Sequence, residues 1–162
     1  METIEKRITV DVPVRAVYDQ WTQFEDFPQF MEGVKEVRQQ GDKRLHWVTD
    51  VGGKRQEFDA DIIEQLPDQV IAWESTVGVK QAGRVVFTPD AQGTRITLRM
   101  AYEPRDAMES VGSRLGILDR QVQGDLERFK RFMEERRTPT GAWRGRIEEG
   151  QVISERETSG PR

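Results

Sequence analysis

The sequence predicts an α+β fold in which a curved antiparallel β-sheet of about seven strands wraps around a long C-terminal α-helix. Three observations predict it. Seven segments alternate apolar with polar residues and are separated by turn residues, as in antiparallel strands with one solvated face. A proline and a cluster of aromatic residues interrupt the alternation after strand 1, which indicates two short helices there. From Asp106 to Arg137, apolar residues recur every three or four positions, which is the period of a helix.

The first strand and the two short helices take up the N-terminal part of the chain. Residues 2–12 alternate, and one face carries Ile4, Ile8, Val10 and Val12. Pro13 begins a short helix, because proline is tolerated in the first helical turn. A second helical turn covers 24–27 and ends or bends at Pro28.

Six further strands follow, separated by turn residues such as Gly52-Gly53. They are predicted at Val34–Gln40, Arg44–Val51, Lys54–Leu66, Val70–Val77, Gly83–Thr88 and Thr94–Tyr102. Because the connections between them are short, neighbouring strands can pair as an antiparallel meander.

The long helix carries a continuous apolar stripe. Its members are Met108, Val111, Leu115, Leu118, Val122, Leu126, Phe129, Phe132 and Met133. Gly112 and Gly116 interrupt the first third of the helix, and each costs about 1 kcal/mol relative to alanine. That cost suggests a bend, or space left for a ligand. We therefore expect ligand contacts in the first half of the helix and plain packing from Val122 to Met133.

Residues 1–137 are predicted to form one domain, followed by a polar C-terminal tail at 138–162. The sequence from Thr138 to Gly141 contains proline and glycine and ends the helix. The segment after it could pair as a short hairpin or extend as an arm, with Trp143 as the anchor of a homodimer. Residues 154–162 are expected to be disordered.

Composition excludes several classes of function. A net charge of -4 and an isoelectric point near 5.2 argue against nucleic-acid binding. With no apolar run of about 18 residues and no signal-peptide pattern, we expect a cytoplasmic protein without stable membrane insertion. The chain has no cysteine and a single histidine, so we expect no metal site and no cofactor.

The polar residues give no clear catalytic group. His46 alternates with apolar neighbours and should lie on the solvated face of its strand. A stripe of carboxylates occupies alternate positions of the fourth predicted strand, at Glu57, Asp59 and Asp61. We favour a solvated stripe that faces Arg95 and Arg99 over a pair of acid–base catalysts. No serine lies in a nucleophile elbow, so no catalytic residue is assigned.

The best candidates for a site are apolar. On the concave face of the sheet, the expected ligand-binding residues are Trp47, Phe58, Trp73, Phe87, Leu98 and Met100. From the first half of the long helix they are Met108, Val111 and Leu115. Aromatic and methionine side chains suit a pliable apolar pocket, although the same residues could serve as ordinary core. Tyr102, Arg99 and Ser113 are the polar groups expected nearest to this pocket.

Several short motifs together resemble the START/Bet v 1-like (SRPBCC) superfamily of helix-grip proteins. They are Val12-Pro13 before Val17-Tyr18, Trp21-Thr22, the run from Phe24 to Met31, Ile71-Ala72-Trp73, and the stretches Gly83–Phe87 and Gly93–Leu98. The likeness extends over residues 1–137 and is strongest to the bacterial polyketide cyclase/dehydrase and coenzyme Q-binding-protein-like branch. It implies an apolar cavity between sheet and helix that holds lipids, quinones or polyketides.

Two functions follow from this resemblance. The first is binding or transport of a small hydrophobic molecule, such as a lipid, a quinone or a polyketide-like compound, in an internal cavity. The alternative is a polyketide cyclase/dehydrase that acts on an intermediate bound in the cavity, since such an enzyme can work largely by folding a reactive chain. We favour binding, because the sequence shows no acid–base constellation.

Overall fold

The computed structural model of the protein describes residues 2–103 and 112–153. Within these ranges the strands are β1 (Glu2–Val10), β2 (Val34–Gln40), β3 (Arg44–Val51), β4 (Lys54–Leu66), β5 (Val70–Gly78), β6 (Gln81–Asp90), β7 (Gly93–Tyr102), β8 (Arg146–Glu148) and β9 (Gln151–Ile153). The helices are α1 (Val14–Trp21), a 3₁₀ helix (Phe24–Gln29) and α2 (Gly112–Arg136). Neither α-helix of the described chain has the length and hydropathy needed to cross a membrane.

The predicted fold class is confirmed, with small differences at the ends of elements. The first strand ends at Val10 rather than at residue 12, because the Val12 N–H bonds back to the Val10 carbonyl in a turn. The long helix ends at Arg136, where Arg137 adopts a φ of 66° and donates its N–H to the Met133 carbonyl. The part predicted to be helical from 106 to 111 lies outside the described residues.

The strands form one antiparallel sheet in the order β1-β7-β6-β5-β4-β3-β2, with the short β8–β9 hairpin attached to β4. The register shifts between Val34 and Glu36 on β2, and twice along β4, after Asp59 and after Ile62. Such bulges bend the bulged strand and increase its twist. They curve the sheet around α2, and the two strands beyond the predicted seven come from the C-terminal tail.

Helix α2 packs its apolar stripe against the concave face of the sheet. The buried residues of this stripe are Leu118, Val122, Leu126, Phe129 and Met133. Phe129 meets Trp21 edge to face at 5.0 Å and Phe30 at 5.1 Å between ring centroids. Aromatic pairs in this geometry add about 0.5–1.5 kcal/mol beyond the burial of their area. The C-terminal half of α2 is therefore fixed against α1 and the segment after the 3₁₀ helix.

Polar contacts hold α2 along strand β1. The Lys6 ammonium lies 2.8 Å from the Asp119 carboxylate. Farther along the helix, Lys130 donates to the Thr9 carbonyl at 2.8 Å and pairs with Glu134 at 2.6 Å. These contacts set the position of the helix relative to one edge of the sheet.

The C-terminal tail packs back against its own chain as far as Ile153. The Arg144 guanidinium pairs with Asp19 and, at 2.9 Å, with Asp68, and it lies 5.6 Å from the centre of the Tyr18 ring. Ile147 of β8 is fully buried and pairs with Gln65 of β4. The predicted disorder of 154–162 falls outside the described residues.

Candidate ligand-binding cavity

A cavity lies between the concave face of the sheet and α2. It is partly open to solvent and has a volume of about 110 Å³, counted as the space that the centres of water molecules can reach. One water needs roughly 10–15 Å³ in this measure, so the cavity can take the body of a small organic molecule. Its apolar lining consists of Trp21, Phe24, Phe27, Met31, Val34, Leu45, Trp47, Phe58, Ile62, Ile71, Trp73, Leu98, Met100, Leu118, Val122 and Leu126.

Two stacked aromatic rings form part of the wall. Trp47 of β3 and Phe58 of β4 are direct cross-strand partners, and their rings stack with an interplanar angle of 6° and centroids 6.0 Å apart. Phe27 leans against Trp47 at 5.7 Å. All three residues line the cavity, so this part of the wall is aromatic and apolar.

Six polar side chains also line the cavity. They are Thr49, Gln56, Gln81, Tyr102, Gln121 and Asp125. The Gln56 Nε2 and the Trp47 Nε1 are both buried without a hydrogen-bond partner among the described residues. A buried donor left unpaired destabilises a protein by about 1–3 kcal/mol, so these groups are available to bind a water molecule or a polar group of a ligand.

Asp125 is the one carboxylate of this lining. Its Oδ1 accepts a hydrogen bond from the Glu32 backbone N–H at 2.9 Å and another from Arg128. Burial raises the pKa of Asp125 to about 6, although the hydrogen bond and charge of Arg128 oppose this. A carboxyl group with such a pKa can give or take a proton near neutral pH.

The structure brings most of the predicted sheet residues together. Five line the cavity, namely Trp47, Phe58, Trp73, Leu98 and Met100. Phe87 does not: its ring packs edge to face on Tyr18 at 5.3 Å and Trp21 at 5.9 Å, because α1 covers this part of β6. That these residues bind a ligand stays a prediction.

The ligand contacts predicted for the first half of the long helix cannot be compared with the structure. Met108 and Val111 lie outside the described residues, and the side chain of Leu115 is not described. The expectation of plain packing for the second half is wrong in part, since Val122 and Leu126 line the cavity.

Of the polar groups expected near the pocket, Tyr102 lines the cavity and Arg99 does not, and the side chain of Ser113 is not described; the rest of the polar lining was not predicted. Gln56 has the same parity on β4 as Phe58, and that parity places it on the concave face. Gln121 and Asp125 follow Leu118 and Val122 by three residues each, which puts them on the apolar stripe of α2. The strand parity of Gln56 and the helical spacing of Gln121 and Asp125 could have predicted their positions, but polar residues were expected to face solvent.

His46 lies on the opposite face of the sheet from the cavity. Its Nδ1 is 2.6 Å from Asp59 and its Nε2 is 3.1 Å from Glu57. The hydrogen bond to Asp59 raises the pKa of His46.

The carboxylate stripe beside His46 is paired differently from the prediction. Asp61 pairs with Arg44 at 2.8 Å. Arg95 and Arg99 belong to β7, three strands away from β4 in the sheet, so the predicted pairing with them is wrong. Residues 2–103 and 112–153 contain no group of three or more His, Asp or Glu side chains placed to hold a metal ion.

Residues 10–134 match the family model of polyketide cyclases/dehydrases and lipid transport proteins. The chain belongs to this family. An uncharacterized 17.2 kDa protein of Streptomyces lincolnensis, encoded in the melC2-rnhH intergenic region, is 50% identical over 149 residues, which are 91% of this chain and 99% of the relative. The resemblance inferred from the short motifs is thereby confirmed.

Solved structures agree on the fold. The Zhui aromatase/cyclase of Streptomyces sp. R1128 superimposes with a TM-score of 0.68 at 18% identity, over 88% of this chain and 99% of that protein. A START superfamily protein of Mycobacterium smegmatis superimposes with a TM-score of 0.64 at 16% identity, over 83% of this chain and 95% of that protein. At such identities the likeness concerns the helix-grip fold alone.

Proposed function

We propose that the protein binds a small hydrophobic molecule in the cavity between the sheet and α2. The observation that carries this proposal is the cavity itself, whose lining is mainly aromatic and aliphatic. Close packing would normally fill such a space, because an empty cavity destabilises a protein in proportion to its volume. A site that is kept open and apolar, with few polar groups, has the character of a small-molecule pocket.

The matched family supports this proposal, since its description names lipid transport beside cyclase and dehydrase activity. A carrier needs no catalytic constellation, only a lining that matches the ligand. The lipid, quinone or polyketide-like class expected from the sequence agrees with the stacked wall of Trp47 and Phe58.

Binding can be tested in two ways. Purified protein should release a retained apolar compound on extraction with organic solvent, detected by mass spectrometry. It should also bind the bicyclic hydrocarbon tetralin, with a change in the fluorescence of the lining tryptophans Trp21, Trp47 and Trp73. A protein that retains no compound and binds no tetralin would refute the proposal.

Asp125 favours a second candidate, the polyketide cyclase/dehydrase. In such a reaction the Asp125 carboxylate would take a proton from the carbon beside a ketone, and the resulting carbon nucleophile would attack a second ketone of the same chain. The carboxylic acid would then protonate the new alkoxide to give the hydroxyl, and the regenerated carboxylate would take the second proton from the same carbon and return it to the hydroxyl group, which leaves as water. A carboxyl group with a pKa near 6 suits both steps.

A simple diketone tests this candidate. 2,6-Heptanedione closes to 3-methylcyclohex-2-enone with loss of one water, and the enone is followed by its ultraviolet absorbance. We expect Asp125→Asn to abolish any acceleration and Glu127→Gln, a change at an exposed position on the same helix, to leave it intact. No acceleration by the unaltered protein over buffer would contradict this candidate and leave the binding proposal standing.

A further inference from the structure

Three neutral polar side chains meet at one end of the cavity. Thr49 of β3 and Gln56 of β4 are direct cross-strand partners. Gln121 reaches the same place from α2, since its Nε2 donates to the carbonyl of Asp50 at 3.0 Å. Its amide also lies against Gly33, where a Cβ would collide with it. Because Thr49, Gln56 and Gln121 all line the cavity, this end is built from three separate elements.

This end has hydrogen-bonding capacity that the described residues do not use. Gln56 is only 6% exposed, and its Nε2 has no partner among them. Trp47 lies two residues before Thr49 on the same face of the strand, and its buried Nε1 also has no hydrogen-bond partner among the described residues. Gln121 uses one N–H on Asp50, and a primary amide has a second N–H and a carbonyl. Buried donors of this kind are rarely left unpaired in native proteins.

The charge of the lining limits what these groups can bind. Among the described residues that line the cavity there is no lysine, arginine or histidine, and the one carboxylate is Asp125. A ligand carboxylate or phosphate would find no cation in this lining to pair with, because the nearby Arg128 guanidinium is already paired with Asp125. Burying an unpaired charge is strongly unfavourable, so the ligand group must be uncharged.

Toward the other end of the wall, β3 and β4 contribute apolar side chains, and one further buried donor without a described partner, the Trp73 Nε1, lies on β5 across from Ile62. Leu45 lies four residues before Thr49 on β3, and Ile62 lies six residues beyond Gln56 on β4. Four residues of strand span about 13 Å, so the polar and apolar ends are separated by the length of a two- or three-ring molecule. The lining therefore defines the direction in which a ligand lies.

We propose that Thr49, Gln56 and Gln121 bind an uncharged oxygen-bearing group, a ketone or a hydroxyl, of an otherwise apolar ligand whose hydrocarbon body points toward Leu45 and Ile62. This inference rests on the proposed binding function and narrows it. Hydrocarbons should bind more weakly than such ligands, and free fatty acids should bind most weakly because the lining holds no cation for their carboxylate.

The test compares three probes that share one bicyclic skeleton, namely tetralin, α-tetralone and tetralin-1-carboxylate, by isothermal titration calorimetry at pH 8. The ketone should bind about three- to tenfold more tightly than the hydrocarbon, as expected for one or two net hydrogen bonds. The carboxylate should bind most weakly. Gln56→Leu and Gln121→Leu should each bring the affinity for the ketone close to that for tetralin, while the tetralin affinity is kept.

Gln123→Leu is the matched control, because Gln123 lies on the same helix, is not among the lining residues, and donates to Glu127 instead. It should keep the preference for the ketone. Equal affinities for ketone and hydrocarbon, or tightest binding of the carboxylate, would overturn this inference while the binding proposal stands. If tetralin does not bind either, the binding proposal itself fails.

Discussion

The indole ring of Trp73 lies directly over the Cα of Gly83, its cross-strand partner on β6. A Cβ placed on Gly83 would collide with Cζ2, Cη2 and Cε2 of that ring. Trp73 lines the cavity, and so does Met100, the partner of Gly83 on β7. The missing side chain at 83 is therefore what allows the ring to lie against the sheet and leaves the space above it open.

Gly83→Val should close part of the cavity. The added side chain displaces the Trp73 ring away from the sheet, and overpacking of this kind destabilises a fold by about 1–3 kcal/mol. We expect at least a tenfold loss of affinity for α-tetralone by calorimetry, with a lower unfolding temperature.

Gly116→Ala is the matched control for that experiment. A Cβ at Gly116 meets only Nη1 of Arg120, at 3.7 Å, so it fits without rearrangement. Alanine should stabilise α2 by about 1 kcal/mol and leave the affinity unchanged. Unaltered affinity in Gly83→Val would show that Trp73 does not limit the space available to the ligand.

Asp125 should make stability depend on pH. Its pKa rises from near 4 in the unfolded chain to about 6 in the fold, so the folded state holds the proton more tightly. The stabilisation is therefore complete below about pH 4 and is lost as the pH rises through 6. We expect the free energy of unfolding, measured with urea, to fall by roughly 2 kcal/mol more between pH 4 and 7 in the unaltered protein than in Asp125→Asn.

The asparagine variant is a suitable comparison because its amide oxygen can still accept the Glu32 N–H. Subtracting its curve removes the contributions of the other carboxylates, which are present in both proteins. Parallel curves for the two proteins would mean that Asp125 is ionised at the same pH in the folded and unfolded states.

The ion pair between Arg144 of the tail and Asp19 of α1 should stabilise the folded protein. The Asp19 side chain is only 8% exposed, and burial raises the pKa of Asp19 while Arg144 opposes this. Arg144→Met leaves that carboxylate buried without its partner, which costs about 3 kcal/mol. The measurement is the free energy of unfolding in urea at pH 7.

Two further variants sharpen that result. The double change Asp19→Asn with Arg144→Met should recover part of the loss, because the buried position 19 then carries no charge, while Asp68, which also loses Arg144, is partly exposed to solvent. Arg38→Met, which removes an exposed pair with Glu36, should change stability by less than about 1 kcal/mol. Equal losses for Arg144→Met and Arg38→Met would show that burial of the pair has no consequence.

The homodimer predicted through the tail remains a prediction, and the structure sharpens its test. Trp143, the expected anchor, packs partly buried against the core of its own chain, whereas Val152 of β9 is 39% exposed. A dimer formed by the tail would therefore use β9. We expect Val152→Asp to lower the mass measured by light scattering from that of two chains to 18.8 kDa. A mass of 18.8 kDa for the unaltered protein would rule the dimer out.

Much of the fold could be predicted because alternation and helical spacing are local properties. The period of two along β4 correctly assigned Phe58, Ala60 and Ile62 to the buried face. The same period correctly placed His46 on the other face, beside Asp59. Strand order is not local, and for that reason the predicted pairing of the carboxylate stripe with Arg95 and Arg99 failed.

The elements, their order, the family and the apolar character of the concave face could all be predicted from the sequence alone. Each of these depends on residues close together in the chain or on short motifs. Two other features depend on the three-dimensional packing: Phe87 packs under α1, and one end of the cavity is shared by Thr49, Gln56 and Gln121. The reason is geometric: the curvature of the sheet and the path of α2 decide which inward-facing side chains fill the core and which border open space.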